Sequence, residues 1–177
     1  VMEGGAMRCM FTAGVTDTLM KAGIDFDGAI GVSAGAAFGC NYKSRQIGRV
    51  LRYNVKYASD PRLSSWQSWL KTGDLYGADF CYHDLPVKLD IFDTVAFQKN
   101  SIDFWYVATD INNGEAIYHK LILGKEANLQ WIRAFSSIPV FAQPVEIGSR
   151  KYWDGGISNS IPIKFFEKLA TIRTLSF

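Results

Sequence analysis

A serine lies at the centre of the pentapeptide Gly31-Val32-Ser33-Ala34-Gly35, which matches the pattern GxSxG. Residues 28–32 form a short apolar run typical of a strand, and the small residues 34–38 favour a closely packed helix. A serine on a sharp turn from strand to helix presents its hydroxyl as a nucleophile at the N-terminus of the helix. The alternative is a glycine-rich turn with an incidental serine, and the pentapeptide alone does not decide between the two.

A nucleophilic serine needs a base, and the chain has two histidines, His83 and His119. In the order typical of α/β-hydrolases the histidine follows the acid, yet no histidine follows position 119. His83 lies in an irregular aromatic stretch, and His119 lies in the second strand of a predicted hairpin. We therefore expect a structural or surface role for both histidines.

Asp154 is the stronger candidate for the base. It follows the short aromatic run Tyr152-Trp153 and precedes Gly155-Gly156, two glycines that open the backbone around the carboxylate. A strand end beside a glycine turn is where an open α/β sheet holds its reactive groups. An ordinary Asp-Gly-Gly turn is the alternative, and it would be preferred if Ser33 were absent.

A third element is the glycine-rich segment Glu3-Gly4-Gly5-Ala6-Met7-Arg8, which comes directly before a predicted helix. Such glycines expose consecutive backbone N–H groups, and these suit the oxyanion that develops when an ester is attacked. A dinucleotide-binding loop is the competing interpretation. The segment lacks two of the three fingerprint glycines, and Asp25 and Asp27 precede the second strand instead of ending it.

Helical and strand patterns alternate along the chain, which indicates an α/β layered fold with a hairpin inserted. Residues 60–100 are irregular and predict loops and short helices. Their aromatic residues, Trp66, Trp69, Tyr76, Phe80 and Tyr82, suit an acyl-chain groove or a membrane-contacting lid, although core packing is the more frequent role. The other predicted elements are a helix over roughly residues 9 to 22, a helix through Ile47, Val50, Leu51 and Val55, a hairpin of 102–109 and 116–123, a helix through Leu129, Ile132 and Phe135, strands at 144–147 and 151–153, and a helix from Pro162.

The composition excludes several classes of protein. The chain has 177 residues, of which 48% are hydrophobic, and its 12 Phe, 8 Tyr and 5 Trp exclude a disordered protein. A net charge of +2, with lysines and arginines grouped at most in pairs, argues against nucleic-acid binding. Cys9, Cys40 and Cys81 lack CxxC spacing and fit reduced thiols better than a disulfide or zinc site.

The length corresponds to one domain with one core. No apolar run reaches the ~20 residues of a transmembrane helix, and no signal peptide opens the chain, so we expect a soluble, cytoplasmic protein. The start at Val1 is abrupt, and residues 171–177 resemble an incomplete strand. We therefore expect a single catalytic domain over residues 1–177 with pieces missing at both ends.

The three motifs, in this order and spacing, resemble the patatin-like phospholipase family, and its bacterial members most closely. The family's elements here are Gly4-Gly5-Ala6-Met7-Arg8-Cys9, Gly31 to Gly35 and Asp154-Gly155-Gly156. Ser136 to Pro139 and Asn159 to Pro162 are also similar. The resemblance covers nearly the whole chain. It implies a three-layer α/β/α fold with a mostly parallel central sheet and an inserted hairpin.

The resemblance implies a serine lipid acyl hydrolase with a Ser-Asp dyad and no cofactor or metal. Ser33 would attack the ester, Asp154 would be the general base, and the N–H groups of Gly4, Gly5 and Ala6 would hold the oxyanion. The expected partners are a lipid or acyl-ester substrate and, peripherally, a membrane that this near-neutral chain would approach by apolar contact. The supporting residues that the resemblance implies are Arg8, Gly31, Gly35, Gly155 and Gly156.

Two positions depart from the family pattern. Ala6 stands where many members have glycine, which backbone N–H donation tolerates, and Cys9 replaces the usual last glycine. The loop conformation and the role of Arg8 are therefore open, because this arginine either stabilises the loop, meets a lipid phosphate or is solvated. Two other functions are also open: a carboxylesterase for soluble short-chain esters, and a non-catalytic lipid-binding or regulatory module.

Overall fold

The computed structural model describes residues 1–122, 127–169 and 176, with the backbone alone for 127–130. Strands and helices alternate, as predicted. The strand expected at 171–177 lies almost entirely outside the described residues. The elements are a 3-10 turn at Ala6–Cys9, α1 (Met10–Lys21), β1 (Gly28–Val32), α2 (Ala34–Lys43), α3 (Arg49–Lys56), α4 (Trp66–Thr72), a π-helical segment at Phe80–Leu89, α5 (Thr94–Lys99), β2 (Asp103–Asp110), β3 (Ala116–Lys120), α6 (Ala127–Ala134), β4 (Val145–Ile147), β5 (Arg150–Asp154), a 3-10 turn at Gly155–Ile157 and α7 (Ile163–Leu169).

The sheet is mixed, with β2 at its centre. β1 pairs with β2 in parallel, and β3 and β5 pair with β2 in the antiparallel sense. β4 pairs antiparallel with β5. The prediction of a mostly parallel sheet is therefore not confirmed as a whole: β1–β2 and a bridge between Met2 and Gly31 are parallel. Short turns join β2 to β3 and β4 to β5, and only antiparallel strands can be joined in this way.

β1 and β5 share one edge of β2. β3 pairs with residues 105–109 and β1 with residues 103–107, so these two strands must occupy opposite edges. β5 pairs with residues 108–110 of β2. β3 also pairs with residues 108 and 109, on the edge opposite β1, so β5 must lie on the same edge as β1. The C-terminal ends of β1 and β5 consequently meet at the adjacent residues Val107 and Ala108.

Both faces of the sheet are covered, which confirms the predicted α/β/α layers. On one face Ala29 and Phe104 belong to a buried cluster with side chains of α1 and α2. On the other face Ile30 and Val107 pack with Phe166 of α7. Alternate residues of each strand thus point into two cores, as expected for a strand buried on both sides.

The helix predicted around Val50 is present as α3, but the apolar stripe is not its buried face. Ile47, Leu51 and Val55 are 42%, 55% and 67% exposed, whereas Val50 and Tyr53 are buried. No helix within the described ranges is long and apolar enough to span a membrane.

Candidate active site

Ser33 lies on a strained turn between β1 and α2. Its φ of 54° and ψ of −129° place it in a region that residues with a side chain rarely adopt. The side chain is buried, and the Ser33 carbonyl accepts hydrogen bonds from the N–H groups of Ala36 and Ala37, which starts the helix. Backbone strain of this kind is concentrated at functional sites.

Gly31 and Gly35 are required by close packing around the turn. A Cβ on Gly31 would lie 2.5 Å from the backbone nitrogen of Ala36. A Cβ on Gly35 would lie 2.6 Å from the carbonyl oxygen of Met2. Neither glycine has a positive φ. The structure therefore assigns the unusual dihedral angles of the turn to Ser33 itself, and the glycines allow other backbone segments to approach.

The N-terminal segment lies along β1 and directly against the serine. The Met2 N–H donates to the Ile30 carbonyl at 2.8 Å, and the Val32 N–H donates to the Met2 carbonyl at 3.0 Å. A Cβ on Gly4 would lie 3.0 Å from the Ser33 Cβ. The glycine-rich loop and the serine turn are therefore one packed unit.

The loop closes through its own side chains. The Cys9 thiol donates to the Glu3 carbonyl at 3.4 Å, and burial is the main cause that raises the pKa of this thiol. The guanidinium of Arg8 folds back over Gly5, where a Cβ would lie 3.3 Å from Nε. Ala6 has a positive φ of 48°. The buried Cys9 thus links the end of the loop to Glu3 by a hydrogen bond. Arg8 lies against the loop with its side chain exposed.

Free backbone donors lie on both sides of Ser33. Within the described part of the chain, the N–H groups of Gly4, Gly5 and Ala6 have no hydrogen-bond acceptor. The same holds there for Ala34 and Gly35, the first two residues of α2. Unpaired donors at a helix N-terminus favour a bound anion.

Asp154 ends β5 and is held rigidly by its surroundings. One carboxylate oxygen, Oδ1, accepts the Gly156 N–H at 2.7 Å. The Asp154 N–H donates to the Ser137 carbonyl at 2.8 Å, and the Thr109 hydroxyl donates to the Asp154 carbonyl at 2.8 Å. A Cβ on Gly155 would lie 2.6 Å from the carbonyl carbon of Val107, so this glycine is also required by packing.

The carboxylate of Asp154 is buried, and burial raises its pKa above the ordinary range. The Ser33 hydroxyl and the Gly156 N–H act in the opposite direction, because both stabilise the charged form. Among the described residues Oδ2 has no hydrogen-bond partner of ordinary geometry. Catalytic hydrogen bonds are often long before substrate binds, and a carboxylate oxygen close to a serine hydroxyl can accept its proton.

A cavity of about 390 Å³ opens beside Ser33. Its walls come from α2, α3, the π-helical segment and residues 132–142, and they are largely apolar. Such a space accepts a hydrocarbon chain more readily than a polar ligand. Apolar side chains that line it include Met7, Phe38, Leu85, Ile132, Phe135 and Phe141.

The polar groups in the cavity wall are mostly engaged. Arg49 is buried, donates to the Asn41 side-chain oxygen at 2.9 Å and forms an ion pair with Asp90 at 3.2 Å. We assign it a structural role. Burial raises the pKa of Tyr82 to about 12, against a hydrogen bond with the Ser136 hydroxyl that lowers it. Tyr82 is therefore a neutral phenol at physiological pH.

Neither histidine has Ser33 among its contacts within the described residues. His83 is 64% exposed and lies 3.6 Å from Asp84. His119 stacks on Trp131 with ring centroids 4.6 Å apart, and burial lowers its pKa. The described residues also contain no group of three or more His, Cys, Asp or Glu side chains arranged to hold a metal ion.

The aromatic stretch serves more than one role. Phe80 belongs to the core and packs edge-on against Tyr57, with centroids 5.5 Å apart. Tyr76 and Tyr82 line the cavity, while Trp66 is largely exposed. Core packing is therefore observed for Phe80, while the acyl-chain groove or membrane-contacting lid stays a prediction for the others.

Sequence reasoning did not identify Thr109 as part of the site. Its hydroxyl bonds the Asp154 carbonyl and lies 2.8 Å from the Ser158 hydroxyl, so it ties β2 to the turn after β5. A threonine in a β-strand has no distinctive signal of its own. Ser137 lay in a segment that resembled the family, but its bond to Asp154 depends on tertiary packing.

The family model described as patatin-like phospholipase matches residues 1–166. This range includes the glycine-rich loop, the Ser33 turn and Asp154. A protein of Escherichia coli (strain K12) described as "Uncharacterized protein YjjU" is 33% identical to the chain over 171 residues. The match covers 93% of this chain and 46% of that relative, so the chain spans less than half the relative's length.

Proposed function

Since the chain belongs to the patatin-like phospholipase family, we propose that it is a serine lipid acyl hydrolase in which Ser33 and Asp154 form a catalytic dyad. One observation carries the proposal. β1 and β5 end at adjacent residues of β2, Val107 and Ala108, and this brings a buried carboxylate to a serine on a strained turn.

In the first step the Ser33 Oγ attacks the ester carbonyl carbon and its proton passes to the Asp154 carboxylate. The tetrahedral intermediate collapses when the C–O bond to the alcohol breaks and Asp154 returns the proton to that oxygen. Water then attacks the acyl-serine, again with Asp154 as proton acceptor; the bond between the acyl carbon and Ser33 Oγ breaks, Asp154 returns the proton to Oγ, and the fatty acid is released. Burial makes Asp154 a stronger base than an exposed aspartate, because it raises the pKa of the carboxyl group.

The oxyanion of each intermediate would be held by the free backbone donors. The N–H groups of Gly4, Gly5 and Ala6 approach from the loop, and the Ala34 N–H follows the nucleophile directly. An N–H from the residue after a GxSxG serine, together with loop N–H groups, is a common oxyanion hole. Removal of a single oxyanion-hole donor from a serine protease costs about 2.7–4 kcal/mol of transition-state stabilisation.

The apolar cavity supports a lipid in preference to a soluble short-chain ester. Its volume of about 390 Å³ falls within the ordinary range for small-ligand sites. Each methylene group buried there contributes about 0.8 kcal/mol. We therefore expect kcat/KM to rise with acyl chain length, and a carboxylesterase of soluble short-chain esters would show the reverse preference.

The test is hydrolysis of a p-nitrophenyl ester series from butyrate to palmitate. Ser33→Ala and Asp154→Asn should each lower kcat/KM by at least about 10³-fold. Ser64→Ala is the matched control, because Ser64 also borders the cavity, and it should retain activity. Substantial activity in either dyad variant would refute the dyad. Failure of a fluorophosphonate to label Ser33 would favour a non-catalytic lipid-binding module.

A further inference from the structure

Four apolar side chains stand exposed beside the cavity, and we call them the rim patch. Trp66 and Leu70 on α4 are 66% and 77% exposed, and Val140 and Phe141 after α6 are 73% and 40% exposed. Trp66 and Leu70 are four residues apart and lie on one face of α4. Exposed apolar residues are ordinary when scattered, but a contiguous group marks an interaction site.

The rim patch is contiguous because hydrogen bonds join its two segments. The Trp69 indole N–H donates to the Val140 carbonyl at 2.6 Å. The Leu75 N–H donates to the Phe141 carbonyl at 2.8 Å. Farther along, the Gln143 N–H donates to the Asp74 carboxylate at 2.8 Å. Residues some 70 positions apart in the sequence thus form one fixed surface.

Val140 is held in a conformation that a β-branched residue rarely adopts. Its φ is +74°, and its side chain is exposed, so core packing does not explain the strain. The bond from Trp69 to the Val140 carbonyl helps to maintain this conformation. Backbone strain that is retained at an exposed apolar residue indicates that the residue serves binding and not the stability of the fold.

The rim patch continues into the cavity. Phe141 belongs to both, and Tyr76, which is 38% exposed, also lines the cavity. Met7 of the glycine-rich loop is 49% exposed and lines it as well. An apolar chain could therefore pass from the rim patch to Ser33 along apolar side chains.

The charges near the rim patch suit a phospholipid surface. Asp60 is paired with Arg62 at 2.7 Å, and Asp74 lies 3.9 Å from Arg133. Lys71, next to Leu70, has no ion pair among the described residues, so its ammonium group is available to a headgroup phosphate. Tryptophan and lysine beside exposed leucine are typical of segments at a membrane interface.

We propose that the rim patch docks on a phospholipid bilayer and that the acyl chain enters the cavity there. The inference rests on the proposed function for the choice of a lipid partner. Contact is mainly apolar, with Trp66, Leu70 and Val140 in the interfacial region and Lys71 near the headgroups. Binding should accordingly occur on neutral phosphatidylcholine and depend only weakly on salt.

The experiment is flotation of the protein with phosphatidylcholine vesicles, in a Ser33→Ala background that prevents hydrolysis. Leu70→Ser combined with Val140→Ser should weaken vesicle binding by about tenfold or more. Leu51→Ser combined with Val95→Ser is the matched control, because these residues are 55% and 57% exposed on other helices. That control should bind as the parent does.

Equal weakening by both pairs, or no binding of the parent to vesicles, would overturn the proposal. So would a dimer in solution that the Leu70→Ser, Val140→Ser pair dissociates. With the active serine restored, this pair should still hydrolyse soluble p-nitrophenyl butyrate, because neither residue lines the cavity. Loss of the soluble reaction in Ser33→Ala tests the dyad separately, so the two proposals fail independently.

Discussion

The Ser33 turn, which lines the cavity, and the rim patch, which shares only Phe141 with it, are built in opposite ways. Around Ser33 the backbone is enclosed so tightly that Gly31 and Gly35 leave no room for a Cβ. On α4 no residue is buried, and Trp66 and Leu70 are largely exposed. Chemistry needs atoms fixed to within a fraction of an ångström, whereas a lipid surface needs only exposed apolar area.

Each region also retains an unfavourable feature of a different kind. At the site it is the buried carboxylate of Asp154, whose Oδ2 has no hydrogen-bond partner of ordinary geometry among the described residues. At the rim it is the positive φ of Val140. Natural proteins commonly keep such features where function needs them, at some cost in stability. Substitutions that remove each feature therefore separate the two regions.

The largest effect is expected where packing around the turn is broken. Gly35→Ala would place a Cβ 2.6 Å from the Met2 carbonyl oxygen. Relieving this clash would require the backbone at Met2 to move, which is energetically unfavourable. We expect a loss of about 1–3 kcal/mol in the free energy of unfolding. We also expect a fall of about 10²-fold or more in kcat/KM, because the glycine-rich loop would be displaced. Urea unfolding and p-nitrophenyl ester kinetics measure the two effects.

Gly14→Ala is the control for that substitution. Gly14 lies inside α1 and a Cβ there would have no neighbour within 4 Å. Alanine should therefore stabilise the helix by about 0.5–1 kcal/mol and leave kcat/KM unchanged. If Gly35→Ala behaved like Gly14→Ala, the enclosed turn would not be what positions the serine.

A second effect comes from the buried carboxyl of Asp154. Burial raises its pKa in the folded state, so the folded protein binds this proton more tightly than the unfolded chain does. Stability therefore falls as pH rises from the unfolded pKa of about 3.9 through the higher folded pKa. Asp154→Asn cannot ionise. It should be more stable than the parent at neutral pH while inactive, and the gain should vanish in acid.

Asp90→Asn is the control with the opposite sign. A hydrogen bond from Arg52 is the main cause that lowers the pKa of Asp90, so its charged form stabilises the fold. That contribution is present above the unfolded pKa and is lost as pH falls through the folded pKa. Asp90→Asn should be less stable than the parent at neutral pH, measured by urea unfolding. A destabilised Asp154→Asn would contradict the account of the buried base.

If Asp154 is the general base, as we propose, its raised pKa should also set the pH dependence of hydrolysis. The base must then be in its carboxylate form, so the acid limb of kcat/KM should lie above the ordinary aspartate pKa of about 3.9. A pH profile on a soluble ester measures it. An acid limb at or below that value would mean that Asp154 in the free enzyme is not the titrating base.

The sequence predicted the local elements of the site better than their assembly. Ser33, Asp154 and the loop at Gly4 could be proposed from the sequence because each motif is contiguous and has its own steric signature. The meeting of β1 and β5 on one edge of β2 was not predicted, because periodicity describes a strand and not its partner. The same limit explains why the mixed sheet was not predicted and why three of the four apolar residues that marked the α3 helix are exposed. Whether Trp66 was core or surface was equally undecidable from composition.

The smallest effect is expected at Val140. With φ at +74°, valine holds a strain of order 1–3 kcal/mol that glycine would not have. Glycine loses about 0.5–1 kcal/mol more backbone entropy on folding, so Val140→Gly should stabilise the fold only slightly. The same change removes an exposed apolar side chain from the rim patch. Vesicle binding should therefore weaken while urea unfolding shows equal or greater stability.

Val140→Ala distinguishes the two contributions, because alanine also loses the apolar side chain but keeps a Cβ at positive φ. It should weaken vesicle binding about as much as Val140→Gly and give less of the gain in stability. If Val140→Gly lowered stability below that of Val140→Ala, the positive φ would not be a source of strain. Val140 would then contribute to the stability of the fold as well as to lipid contact. In that respect the rim patch would not differ from the Ser33 turn.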